Sequence, residues 1–114
     1  MKTGKLYIPQ RGDLVWLTFN PQLAHEQAGR CPALVISPKE YNKRAGLALF
    51  CPITSKIKDY PFEVKVQDKG LNGVILSDQI KSLDWESRKA TFISKVNEDI
   101  FLQVIEKINV LLNE

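Results

Sequence analysis

Short apolar runs separated by turn-forming residues dominate the chain and predict a protein built mainly from β-strands. The clearest run spans residues 62–67, where Phe62, Val64 and Val66 alternate with polar residues, as on a half-buried strand. Runs 33–37 and 47–53 are apolar enough to be buried on both faces, and the polar segment between them, SPKEYNKRAG, is interpreted as a connection. The predicted strands are residues 14–19, 33–37, 47–53, 62–67, 73–80 and 90–96.

The C-terminal segment instead has the periodicity of a helix. Asn97 can cap its N-terminus, and the acidic residues Glu98 and Asp99 suit the positive end of a helix dipole. One apolar stripe follows, formed by Phe101, Val104, Ile105, Ile108, Leu111 and Leu112. Several short antiparallel strands with one terminal amphipathic helix predict a small, strongly bent sheet or barrel on which the helix packs.

Composition bounds the size and class of the protein. A chain of 114 residues, 44% hydrophobic and 25% charged, predicts one soluble domain spanning residues 1–114. The net charge of +3 permits an anionic partner but is too small to indicate nucleic acid. No signal peptide or membrane span is apparent, and Cys31 and Cys51 lack zinc-type spacing. We therefore expect a cytoplasmic protein with two free thiols.

Common catalytic motifs are missing from the sequence. A single histidine excludes a two-histidine acid–base pair within one chain. There is no GxSxG motif, no phosphate-binding glycine loop and no cluster with metal-ligand spacing, so no metal site is predicted. His25 and Cys31 lack the sequence signature of a thiol protease.

What remains is a set of polar residues at the ends of the predicted strands. Each one alone reads as a solvated loop residue, and Thr54 alone reads as a turn-capping hydroxyl. The set comprises Glu26, Gln27 and Arg30 before the second strand, Thr54, Ser55, Lys56 and Lys58 after the third, and Asp78 and Gln79 at the end of the fifth.

Together these segments resemble the MazF/PemK toxins, the ribonuclease halves of bacterial toxin–antitoxin pairs. The resemblance rests on GDLVWLTFNP, HEQAGRCPALVISP, YN, CPITS, YPFEV, GVILSDQIKSLDW and KINVLL, and it covers the chain from Ile8 almost to its end. It implies an SH3-like β-barrel, a homodimer in the bacterial cytoplasm and an acidic antitoxin partner. It also implies cleavage of single-stranded RNA without a metal or cofactor, by attack of the RNA's 2′-hydroxyl that leaves a 2′,3′-cyclic phosphate.

The resemblance assigns roles residue by residue. Thr54 matches a catalytic threonine and Glu26 a catalytic glutamate. The base-reading positions correspond to Glu26, Gln27, Thr54, Ser55, Lys56, Asp78 and Gln79. Basic and aromatic side chains offer further RNA contacts, since stacking and phosphate contacts combine in single-strand binding; these are Lys39, Tyr41, Lys43, Arg44, Lys56, Lys58 and Tyr60. Trp16, Phe50 and Phe62 are assigned to the core.

One position departs from the family pattern. The family has its catalytic arginine directly before the proline of the second strand, where this chain has Cys31, and Arg30 stands one residue early. In extended backbone Arg30 would face the other side of the sheet, and a thiol carries no fixed positive charge. Arg30 could reach the site from an irregular loop, Lys56 could substitute, or the chain could be an attenuated variant, natural or introduced. Cys31 itself is either a silent thiol or a thiolate activated by Arg30.

Two other functions remain open at this point. A non-cleaving module of the same fold would hold RNA or antitoxin, and residue 31 separates it from an active enzyme. A generic SH3-like domain would bind extended peptides in an aromatic-lined groove, but it leaves the EQAG and CPITS matches unexplained.

Overall fold

The computed structural model describes residues 6–18 and 29–113, which form seven strands and two helices. In chain order these are β1 (Asp13–Thr18), β2 (Arg30–Val35), α1 (Lys39–Ala45), β3 (Leu47–Thr54), β4 (Glu63–Asp68), β5 (Leu71–Leu76), β6 (Lys81–Asp84), β7 (Thr91–Lys95) and α2 (Glu98–Asn113).

The strands form one antiparallel, curled sheet in the order β4-β5-β3-β2-β1-β7. Strand β3 is its hub. The N-terminal half of β3 pairs with β6, its middle with β2, and its last two residues, Ile53 and Thr54, with β5. A half-barrel of strands with a C-terminal helix results, so the predicted mainly-β, barrel-like fold is confirmed.

Apolar side chains bury both faces of the sheet, because residues alternate between faces along each strand. One cluster lies under α2 and contains Leu14, Leu34, Ile36, Cys51, Ile53, Val64, Val66, Leu71, Ile75, Val96, Val104 and Ile108. The other cluster lies on the opposite face and contains Val15, Leu17, Ala33, Val35, Ala48, Phe50 and Trp85. Phe50 is fully buried as predicted, but Trp16 is 39% exposed, so its assignment to the core is wrong.

Helix α2 begins as the sequence predicts. The side-chain oxygen of Asn97 accepts a hydrogen bond from the backbone N–H of Asp99 at 2.8 Å, which caps the first turn. Val104 and Ile108 of the apolar stripe are buried against the sheet. Leu111 and Leu112 are 48% and 75% exposed, so the sheet covers only the first part of the stripe.

Two elements differ from the prediction. The segment interpreted as a connection contains α1, which ends at Gly46 in the left-handed conformation (φ 72°). This short helix is fixed by the buried side chain of Asn42, whose amide donates to Pro9 O at 2.8 Å and to Ser37 O at 3.1 Å. The fifth strand ends at Leu76 rather than at residue 80, because Ser77 turns the chain into the separate strand β6.

Candidate active site

A cleft of about 320 Å³ is lined by the last residue of β3, the first residue of β4 and the last residue of β5. Leu76, the last residue of β5, lies opposite Glu63, the first residue of β4, and Thr54, the last residue of β3, pairs with Val74 of β5. The lining residues are Thr54, Lys56, Lys58, Tyr60, Glu63, Leu76, Asp78 and Gln79. The cleft therefore combines two basic side chains, two acidic ones, an aromatic ring and the apolar side chain of Leu76.

Thr54 is the last residue of β3, and it lines the cleft where the chain leaves the strand. Its hydroxyl oxygen accepts a hydrogen bond from the backbone N–H of Lys56 at 3.1 Å. This is the turn-capping contact expected of a threonine at a strand end. The hydroxyl hydrogen is not used by that contact, so Thr54 can still donate to a ligand in the cleft.

Glu63 holds the loop 55–62, which carries the two cleft lysines. Its carboxylate accepts hydrogen bonds from the backbone N–H groups of Lys58, at 3.1 Å, and of Tyr60, at 3.3 Å. The loop also contains Asp59 in the left-handed conformation, with φ 55°. The side chains of Lys56 and Lys58 are exposed and supply positive charge at the mouth of the cleft.

Asp78 contributes one engaged and one unengaged oxygen. The Tyr60 hydroxyl donates to Oδ2 at 2.8 Å, whereas Oδ1 is buried and has no hydrogen-bond partner among the described residues. The hydrogen bond to Asp78 raises the pKa of Tyr60. Burial, and then the charge of Asp78, raise the pKa of the Cys51 thiol to about 12. A buried acceptor without a partner favours a ligand that carries a donor, such as a base amino group.

Cys31 and Thr54 lie on one face of the sheet. The β2–β3 pairing ends at Ala33–Pro52, and both residues lie two positions beyond it in matching register. Cys31 also pairs with Leu17, which belongs to the same buried face as Ala33. The position where the resemblance predicts a catalytic arginine is therefore occupied by a half-buried thiol on the same face of the sheet as Thr54.

Arg30 faces the other side of the sheet, as the alternation along β2 predicts. It lies within β2 and pairs with Thr18 of β1. Its guanidinium donates to the Thr18 hydroxyl and to the Thr91 hydroxyl of β7, each at 3.1 Å. The structure thus directs Arg30 towards β1 and β7, and it does not bring Arg30 together with Thr54.

The structure brings together Thr54, Lys56, Lys58, Asp78 and Gln79, five of the residues singled out from the sequence. Ser55 is exposed next to Thr54 but does not line the cleft. Glu26 and Gln27 lie outside the described residues. The basic and aromatic residues of α1 (Lys39, Tyr41, Lys43 and Arg44) do not line the cleft either.

Sequence reasoning missed Glu63 and Leu76. Both stand in ordinary strand patterns, and only the β4–β5 pairing places them at the cleft.

Within residues 6–18 and 29–113, no group of three or more His, Cys, Asp or Glu side chains is arranged to hold a metal ion. Neither helix of the described chain has the length and apolarity needed to cross a membrane.

Solved structures with the same fold identify the class of protein. MazF from Deinococcus radiodurans (Form-I) superimposes with a TM-score of 0.83 at 48% identity, covering 95% of this chain and 99% of that one. A MazE-MazF complex from the same organism (Form-II) gives a TM-score of 0.83 at 44% identity, covering 94% and 97% of the two chains.

Sequence relatives agree with the structural comparison. The endoribonuclease toxin MazF of Escherichia coli K12 is 43% identical over 106 residues, which is 93% of this chain and 96% of the relative. The family described as "PemK-like, MazF-like toxin of type II toxin-antitoxin system" matches residues 10–112. The chain therefore belongs to the PemK/MazF family and is a MazF-like endoribonuclease toxin of a toxin–antitoxin system. The family, enzyme class and fold predicted from the sequence are confirmed.

Proposed function

We propose that this chain cleaves single-stranded RNA at short sequences in the bacterial cytoplasm, without a metal or cofactor, and that Cys31 lowers its activity. The RNA's own 2′-hydroxyl loses its proton and attacks the adjacent phosphorus. The bond from phosphorus to the 5′-oxygen breaks, and that oxygen takes up a proton. The products are a 2′,3′-cyclic phosphate and a free 5′-hydroxyl.

The observation that carries this proposal is the placement of Thr54 at a cleft flanked by two lysines. A phosphorane gains negative charge as it forms, so donors and positive charge around it lower the barrier. The Thr54 hydroxyl has a hydrogen free to donate, and Lys56 and Lys58 are exposed at the same mouth. A cleft of about 320 Å³ is large enough for one nucleobase.

The other site residues have proposed roles in proton transfer and base reading. Glu26 accepts the proton of the 2′-hydroxyl, in keeping with the family pattern. Gln27, Ser55 and Gln79 contact base edges, and Asp78 offers its buried, unpartnered Oδ1 to a base amino group. Lys56 and Lys58 contact phosphates, and Tyr60 offers a ring for stacking.

The proposed attenuation follows from Cys31, which lies on the same face of the sheet as Thr54. A cysteine side chain is a weak donor without a fixed charge, and Arg30 is held by Thr18 and Thr91 on the opposite face. Removal of one preorganised transition-state donor lowers a rate by about 100- to 1,000-fold. We therefore expect weak cleavage by the parent chain.

The proposed protein partners are a second copy of the chain and an acidic antitoxin. The known MazE-MazF complex shows that a relative with this fold assembles with an antitoxin. The exposed lysines at the cleft suit an acidic, flexible tail, since such a segment gains charge contacts as it folds on binding.

The test compares RNA cleavage by the parent chain, Cys31→Arg and Cys31→Ser, with a chelator present. Cys31→Arg should cleave about 100- to 1,000-fold faster than the parent, whereas Cys31→Ser, which adds no charge, should stay at the parent rate. The double variant Cys31→Arg/Thr54→Val should lose the gain. Products that carry a 2′,3′-cyclic phosphate would support the chemistry, and products with a 3′-hydroxyl would contradict it.

A second function, a non-cleaving module that binds RNA or antitoxin, is favoured by the same feature, the thiol of Cys31 on the face of Thr54. It would hold if Cys31→Arg binds single-stranded RNA and yields no cut product. If parent and Cys31→Arg cleave equally well, another group such as Lys56 supplies the charge and the attenuation proposal fails.

A further inference from the structure

Lys107 connects helix α2 to the wall of the cleft. Its Nζ donates a hydrogen bond to the backbone carbonyl of Pro61 at 2.7 Å, across 46 positions of sequence. Lys107 itself is half-buried. The neighbouring helix residues Val104 and Ile108 are buried in the core, so the helix is a fixed point from which the lysine reaches the loop.

The contact from Lys107 constrains the cleft through Pro61, because Pro61 is bonded to the cleft residue Tyr60. It directly follows Tyr60, whose hydroxyl donates to Asp78, and it precedes Phe62, whose carbonyl accepts from the Ser77 hydroxyl at 2.6 Å. Because a proline ring fixes φ, a constraint on the Pro61 carbonyl limits the backbone on both sides of it. Holding Pro61 therefore limits where the Tyr60 ring can lie.

The loop 55–62 is thus held from two directions. Glu63 binds the N–H groups of Lys58 and Tyr60 from the β4 side, and Lys107 binds the Pro61 carbonyl from the α2 side. The loop's own residues from Ser55 to Pro61 are exposed, so few packing contacts order it. A loop of this kind keeps one conformation mainly through its hydrogen bonds to the scaffold.

We propose that Lys107 is a positioning residue for RNA binding, one that touches no RNA and acts by ordering the loop that carries Lys56, Lys58 and Tyr60. The proposal rests on the proposed function, in which this cleft binds RNA. Loss of the contact leaves each loop group present but adds an ordering cost to binding. The dissociation constant for RNA should rise, while Thr54, which belongs to β3 and not to the loop, should keep its position.

The test uses the full chain and three variants: Lys107→Met, the charge-matched control Lys69→Met, and Lys107→Arg. Lys107→Met removes the ammonium and keeps the aliphatic stem, and Lys107→Arg restores a donor. Lys69→Met removes the same charge at the β4–β5 turn, at the other end of β4 from Glu63. Binding is followed with a fluorescent, random-sequence 2′-O-methyl RNA pool, which cannot react through its 2′-oxygens. Amide exchange of Lys58 and Tyr60 is measured by NMR without RNA.

Lys107→Met should weaken pool binding by about fivefold to tenfold and speed exchange at Lys58 and Tyr60. Lys107→Arg should restore both values, and Lys69→Met should change exchange at neither amide. Equal weakening by Lys107→Met and Lys69→Met, with loop exchange unchanged, would reduce the effect to bulk charge and overturn the proposal. Unchanged binding by Lys107→Met would overturn it as well.

Failure of the proposed function would look different. If the parent chain binds none of the pool, the cleft is not an RNA site and the positioning role in RNA binding falls with it. The exchange rates then still report whether Lys107 orders the loop. Thermal unfolding of each variant separates local loosening from global destabilisation, since only Lys58, Tyr60 and their neighbours should exchange faster.

Discussion

Gly73 of β5 lies directly against the carbonyl of Thr54 at the end of β3. A Cβ atom placed on Gly73 would come within 2.3 Å of the Thr54 oxygen and 2.9 Å of its carbonyl carbon, and both of these are backbone atoms. Thr54 and Val74 are paired in the β3–β5 ladder, so the two strands cannot separate to make room without losing that pairing. Only glycine therefore allows β5 to pack this closely against the backbone of Thr54, and this packing sets the position of Thr54 in the cleft wall.

Substitution of Gly73 by alanine should displace Thr54. We expect Gly73→Ala to lower the free energy of unfolding by about 1–3 kcal/mol, because inserted atoms in a packed site force backbone shifts. RNA binding should fall further than stability alone explains. Urea denaturation and pool binding measure the two effects, with the exposed neighbour variant Asn72→Ala as control. Full stability and binding in Gly73→Ala would contradict the close contact.

Arg30 should contribute to stability rather than to cleavage. Arg30→Ala removes the hydrogen bonds to Thr18 and Thr91, and we expect a loss of about 0.5–1.5 kcal/mol of unfolding free energy. In a Cys31→Arg background, Arg30→Ala should alter the cleavage rate by no more than about threefold, since its guanidinium faces away from Thr54. Thr91→Val, which removes one partner and leaves the guanidinium, is the matched control. A drop of about 100-fold for Arg30→Ala would show that Arg30 reaches the scissile phosphate.

The two thiols should differ in their reaction with an alkylating reagent. Cys31 is half-buried, whereas Cys51 is fully buried and its pKa is raised to about 12, so at about pH 8 almost none of it is the reactive thiolate. Iodoacetamide should label Cys31 first and reach Cys51 only on unfolding. Mass spectrometry of the digested protein identifies the site, and Cys31→Ser should abolish the early label. Labelling of Cys51 in the folded chain would show that the core opens readily.

Stability should fall at alkaline pH. The Cys51 thiol has a pKa of about 12 in the folded chain against an ordinary value of 9.0, so the proton is held more tightly in the folded state. Its contribution is complete below pH 9.0 and is lost as the pH rises towards 12. The raised pKa values of Tyr7 and Tyr60 act in the same direction.

Urea midpoints measured from about pH 8 to about pH 10.5 should therefore decrease steadily. A Cys51→Ala variant should lose stability less steeply over the same range. A flat profile for the parent chain would contradict the buried state of the Cys51 thiol.

The elements predicted well from sequence are those whose own residues determine them. Helix α2 has an asparagine cap and a continuous apolar stripe, and β4 alternates over its whole length. Helix α1 escaped prediction because its seven residues are mostly polar and are held by one buried side chain, Asn42, through contacts to Pro9 and Ser37. Strand β6 was not predicted because it is four residues long and mostly exposed, and only its pairing with β3 defines it.

The candidate site divides in the same way. Alternation along a strand is a local property, so the opposite directions of Cys31 and Arg30 could be predicted. The lining role of Glu63 and Leu76 depends on the register between β4 and β5, and the contact from Lys107 to Pro61 depends on where α2 docks. Neither the strand register nor the position of the helix can be predicted from the residues next to these positions in the sequence.

The pairing of β3 with three neighbours has a consequence for how the protein loses its structure. Its N-terminal half belongs to the ladder with β6 and its C-terminal end to the ladder with β5, while β2 pairs along its middle. The ladder with β6 and the ladder with β5 cannot unfold independently of each other, because both contain β3. Unfolding should be a single cooperative transition, and amides of β3 should exchange only through it. Thr54, at the end of β3, would then keep its place up to the temperature at which the whole domain unfolds.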